Sequence, residues 1–315
     1  MTKHRSTVTL MAGICLLAVA TAATPASAGQ AYLSRTGSGS TCSLAAPCGP
    51  FGMATAIFVA GANGEVICFD KGNYGGATIS QSVTISCGDG LWEDPSGSVM
   101  INTPAGSDVV IEGLVLDGTS EPGSAILMNG QGALHLRRVR AGNTTGSGNH
   151  GLSFTPNGPA TLHIIDSVFY NNAGSGVLIK PTSSATTNVH IRNSRFEHNL
   201  HGLFVDGTAG SGGIVVNVAE SAFVDNQSNG IGAFTGSGNA VVSVINSQIS
   251  GNLNAGIGTL GTGPAVVSVR VGNSQITGNN WGVLNGGSGQ ILTLGGNHLH
   301  TNVNDGTFTG TIATK

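Results

Sequence analysis

The chain has 315 residues; 39% are apolar, 51 are Gly, 9% are charged and 5% are aromatic, with a formal net charge of −3 at pH 7. That much apolar content excludes a disordered chain, the Gly residues lack the every-third-residue period of collagen, and the slight acidic excess argues against a general nucleic-acid binder. What remains is a chain of many short strands joined by tight turns.

Residues 1–28 read as a secretory signal. Lys3, His4 and Arg5 form a basic start, residues 8–23 an apolar run, and Ala26-Ser27-Ala28 a cleavage site, with cleavage expected after Ala28. The apolar run is interrupted by Thr and is short for a bilayer span of roughly 20 residues. Ile14 precedes Cys15 where a lipoprotein anchor would carry Gly or Ala. Removing the segment takes Lys3 and Arg5, leaving 10 basic against 15 acidic residues. The expected product is secreted or periplasmic, with no transmembrane segment.

Residues 29–97 form a disulfide-containing cap with the first coils, and residues 98–315 carry the regular repeats. The four remaining cysteines, Cys42, Cys48, Cys68 and Cys87, form an even set in an exported chain, which points to two disulfides with three connectivities open. We favour Cys42–Cys48, which closes a short loop, and Cys68–Cys87, which joins two strand-like runs about one coil apart. Metal binding by these thiols is the lesser alternative, since no C-x-x-C pair is present. Residues 50–60, P-F-G-M-A-T-A-I-F-V-A, have Pro near a helix start and apolar spacing, and predict a short helix covering the exposed end of a stack.

Self-comparison then dominates. L-H-I-I-D-S-V-F-Y-N-N (162–172) recurs as V-H-I-R-N-S-R-F-E-H-N (189–199), V-N-V-A-E-S-A-F-V-D-N (216–226), V-S-V-I-N-S-Q-I-S-G-N (242–252) and V-R-V-G-N-S-Q-I-T-G-N (269–279), and a last copy ends at Asn302. The serines Ser167, Ser194, Ser221, Ser247 and Ser274 are 27, 27, 26 and 27 residues apart. Each copy reads as strand, short turn, strand, turn, strand, then a longer Gly-Ser-Thr loop. Alternation such as V-H-I and V-N-V buries one face, and no copy can cover its apolar row alone. Stacking the copies gives an all-β parallel β-helix with three strands per coil of about 27 residues. A short polar strand is expected in the final T-F-T-G-T-I-A-T-K.

The chain from about Gln30 onward resembles the bacterial secreted proteins with right-handed β-helix repeats, within the pectin-lyase-like superfold. The segments S-T-C-S-L-A-A-P-C-G-P-F and G-E-V-I-C-F-D-K-G-N-Y-G-G-A-T-I-S-Q-S-V-T-I-S-C are similar to the cysteine-containing N-terminal module of one group of these. The resemblance implies right-handed coiling. It implies little about activity, because the superfold hosts lyases, hydrolases, epimerases and non-enzymatic surface proteins.

The column Asn172, Asn199, Asn226, Asn252, Asn279 and Asn302 reads as a structural ladder of amides stacked coil over coil. Enzymatic readings find less support. The sequence has no Asp-Asp and no G-H-G, Glu93-Asp94 is an isolated acidic pair, and N-H-G at 149–151 is a fragment. A pectate-lyase-like site would need clustered acids for calcium and a basic proton acceptor, whereas the acids here fall in different columns. His135, His163 and His190 share the outward middle position of successive strands, with Arg137 and Arg192 two residues along. They predict a stacked patch whose charge rises as pH falls through the His range near ~6.5, able to take a uronate-rich or sulfated glycan. The plainer reading, that repetition alone stacks exposed polar residues, carries more weight. Lys180 and Asp206 are expected to pair across the ladder, and Arg195, Glu197, His198 and His201 to solvate the stack.

The sequence therefore predicts a monomeric exported β-helix that is non-catalytic and binds carbohydrate or another envelope component. A polysaccharide lyase or glycoside hydrolase acting on an acidic glycan is the alternative. No cofactor motif is present, and calcium held by loop carbonyls is left open.

Overall fold

The computed structural model describes residues 28–88, 90, 92–94, 97–119 and 123–313; the expected signal segment up to Ser27 lies outside them. Among the described residues, three parallel sheets of 12, 10 and 9 strands run along the stack. One coil shows how they arise. Thr187–Arg192 lies in the first sheet, Arg195–Glu197 in the second and Leu203–Gly207 in the third, after which the chain returns to the first sheet at Ile214–Ala219. Each strand pairs with the equivalent strand one coil away: Phe169 opposes Phe196, and Phe196 opposes Phe223.

Alternation sets the inside, as expected. In Thr187–Arg192 the residues Thr187, Val189 and Ile191 are buried, while His190 and Arg192 are exposed. The rings of Phe169, Phe196 and Phe223 stack with centroids 5.5 and 4.7 Å apart and are fully buried.

Two bends in each coil carry side-chain ladders. In the bend from first to second sheet, a serine hydroxyl accepts the backbone N–H of the serine one coil before: Ser167 N to Ser194 Oγ is 3.1 Å, and Ser194 N to Ser221 Oγ is 3.2 Å. The residue before each serine is left-handed (Asp166 φ 53°, Asn193 φ 47°, Glu220 φ 54°), mostly the Asn and Asp that tolerate that conformation best. In the bend from second to third sheet the asparagines do the same work twice over. Asn226 Oδ1 accepts both the backbone N–H of Asn199 (3.0 Å) and its Nδ2 (3.2 Å). The Asn199 amide also reaches Phe169 O at 3.0 Å, so these buried groups are satisfied.

The N-terminal end is closed by the helix Met53–Ala60. It starts three residues after Pro50 with Gly52 at its N-cap, later than the position of Pro50 suggests. Met53, Ala56, Ile57 and Ala60 face the first coil, while Phe58 is 84% exposed. Two disulfides tie this end, Cys42–Cys48 and Cys68–Cys87, the pairing favoured from the sequence. At the other end the short strand Gly310–Thr311 pairs with Leu292 and Thr293.

Candidate functional site

The outer face of the first sheet carries the residues singled out from the sequence. His135, His163 and His190 stand in register on adjacent strands, and their rings stack with centroids 4.5 and 5.0 Å apart and interplanar angles of 2° and 16°. His135 Nε2 lies 3.2 Å from Asp108 Oδ1. Burial, and then the flanking His135 and His190, hold His163 below the usual imidazole range.

The neighbouring column differs from expectation. Arg137 pairs in register with Ile165, and Ile165 with Arg192, so the two arginines stand two coils apart with an apolar residue between them. The repeat L-H-I-I carries isoleucine where V-H-I-R carries arginine. Arg192 is also engaged by Glu220 through Nε at 3.0 Å and Nη2 at 3.5 Å.

His163, Ile165, His190, Arg192, Asn217, Ala219 and Ile245 line a groove of about 400 Å³ along this face. Its floor is apolar, with Ile245 41% exposed. The trough thus combines an apolar floor with hydrogen-bond donors along one wall. The acids around it are engaged rather than free: Asp108 with His135, Glu112 with Arg138, Glu220 with Arg192, and Asp166 accepting from Asn193 Nδ2 at 2.6 Å.

Lys180 and Asp206 meet on the third sheet with Nζ to Oδ2 at 2.7 Å. Burial pushes the Asp206 carboxyl up, but hydrogen bonds from Lys180 and Thr208 outweigh it and hold the group below the ordinary carboxylate value. Glu93 pairs with Lys71 at 2.8 Å, and Asp94 is buried. Arg195 pairs with Glu197.

His201 does not solvate the stack. It is half-buried on Phe204, with ring centroids 4.8 Å apart, and its Nδ1 accepts the Asn229 N–H at 3.4 Å. His150, the histidine of N-H-G, accepts the Ser175 N–H through Nδ1 at 2.8 Å. Burial lowers both imidazoles to about 4, with His201 and Lys180 adding to the effect at His150. With Nδ1 accepting, each is held neutral with its proton on Nε2.

Sequence reasoning missed other residues. Thr144 starts the asparagine ladder 3.0 Å from Asn172 Oδ1, and Asp305 ends it by accepting from Asn302 Nδ2 at 2.8 Å. Asn297 takes the serine position in the last coil, accepting from Ser274 N at 3.0 Å; its place five residues before Asn302 could have revealed it. On the second sheet, the Tyr170 hydroxyl donates to Asp117 at 2.9 Å, and the ring crosses Gly142, where a Cβ would stand 2.6 Å from it. Among the described residues, no group of three or more His, Cys, Asp or Glu side chains is placed to hold a metal ion. No helix among them is long and apolar enough to cross a membrane.

These sheets and bends define a three-sheet parallel β-helix. No family model matches the sequence, and no curated protein matches it. The structure is similar to the crystal structure of pectate lyase Pel9A, with a TM-score of 0.52 and 17% identity over 84% of this chain and 68% of the lyase. At that identity the likeness is one of fold.

Proposed function

We propose that the protein is an exported, monomeric, non-catalytic β-helix that binds an acidic polysaccharide along the groove of its first sheet. The observation that carries this reading is the groove itself: stacked imidazoles and Arg192 beside an apolar floor of Ile165, Ala219 and Ile245. Imidazole and guanidinium donors recognise carboxylate or sulfate, and the apolar floor accepts the C–H faces of sugars. The two disulfides support an oxidising compartment. Engagement of the nearby carboxylates by neighbouring side chains supports binding over glycoside hydrolysis, which needs a carboxylate pair across the scissile bond.

The test is retention of the purified protein on a panel of immobilised polysaccharides at pH 5.5, scored also for release of shortened products. We expect retention on acidic members without shortened products, and loss of retention when His163, His190 and Arg192 are replaced by Ala. Unchanged retention in the triple variant removes the groove. Shortened products would favour the alternative that the shared fold with a pectate lyase raises, a lyase or hydrolase.

A further inference from the structure

The cations on this face do not repeat with every coil, and His135 and Arg137 stand one coil before the first residues that line the groove. Along one column the register runs Arg137, Ile165, Arg192, and then Ala219 and Ile245. Along the other it runs His135, His163, His190, then Asn217, Ser243 and Arg270. Two rungs that pair an arginine with a histidine therefore flank one rung made of His163 and Ile165. We propose that this groove selects acidic glycans whose anionic groups recur on alternate sugars, in preference to chains with a charge on every sugar. The inference rests on the reading that the first-sheet groove binds an acidic glycan.

The geometry supports it in three ways. Neighbouring coils are about 4.8 Å apart, so Arg137 and Arg192 stand roughly 9.6 Å apart along the axis. An extended pyranose chain advances by about one coil per sugar, so one disaccharide spans the two cationic rungs. A chain that turns a carboxylate toward the sheet at every sugar would set one over Ile165, where it loses hydration without gaining a partner.

The middle rung carries no fixed cation: Ile165 is apolar, and burial, then the neighbouring imidazoles with ring centroids 4.5 and 5.0 Å away, disfavour a proton on His163. Carboxylates beside the two cationic rungs offset part of their charge. Asp108 stands by His135, Glu112 by Arg138 one coil before Arg137, and Glu220 takes one edge of the Arg192 guanidinium. The other edge of that five-donor fork remains for a ligand.

The test compares binding at pH 6 and low salt to hyaluronate, which alternates a uronate with a neutral sugar, and to polygalacturonate, a uronate at every sugar. The expected result is at least tenfold tighter binding to hyaluronate. Ile165→Arg and, separately, His163→Lys complete the row of charges and should bring the ratio of the two affinities to near one. Two variants are used because Ile165 is half-buried, and circular dichroism verifies the fold of each. Equal affinity for both polymers in the parent protein, or an unchanged ratio in folded variants, overturns the inference while leaving acidic-glycan binding intact. Retention of neither polymer overturns both readings.

Discussion

The N-terminal end and the middle coils are held by different means. The first 60 described residues use a helix and two disulfides, whereas the coils from Ala160 to Thr277 have no covalent cross-link and depend on Phe196 and its neighbours, the Ser bends and the Asn ladder. A middle coil is sandwiched, so each of its backbone groups meets a neighbour. An end coil has one partner only and needs another device to close its open face.

Substitutions at the two ends of this contrast should separate it. Phe196→Ala removes a fully buried ring between two others and should cost about 3–5 kcal/mol, read from the shift in urea midpoint. Phe58→Ser on the open helix face should stay within about 0.5 kcal/mol in the same assay. Reducing the disulfides should cost about 2–4 kcal/mol each and speed hydrogen exchange in residues 29–87 before the central coils. Uniform loss of protection along the chain would show that the two regions are one cooperative unit.

Asn226→Ala takes away the acceptor of two Asn199 donors and should cost about 1–3 kcal/mol, with exchange accelerating first at the adjacent coils. A further expected effect is of pH. His150 and His201 titrate near 4 in the folded state, against an ordinary value of 6.5. The unfolded chain therefore binds protons that the folded chain refuses, and stability present above pH ~6.5 falls as pH drops toward ~4. His201→Gln, which keeps an acceptor that does not titrate, should flatten part of that slope in urea midpoints measured between pH 7 and 4.5.

The coil was legible because its determinants repeat: the V-x-V alternation, the serine step and the asparagine column each recur at a period that only stacking explains. Ile165 shows the limit. Its break in the arginine column stands in the sequence, but its meaning depends on register, which sets Arg137 and Arg192 two coils apart. His201 was misread as a solvated residue because the acceptor position it fills has no repeating identity, being His150, His201 or Asn229 in different coils. The carboxylates Asp108, Glu112 and Glu220 were legible as charges. Their partners were not, since each pair joins residues 26 to 28 positions apart in the chain.

The asparagine ladder is directional: every amide from Asn172 to Asn279 donates toward the next coil, and the row ends on the Asp305 carboxylate. Because each rung asks the same thing of the one after it, a rung is interchangeable with its copy. Excising residues 199–225 would bring Asn226 under Asn172 with the same partners, so the length of this molecule can evolve in whole-coil steps, and a groove can be extended or shortened by duplication without a new way to fold.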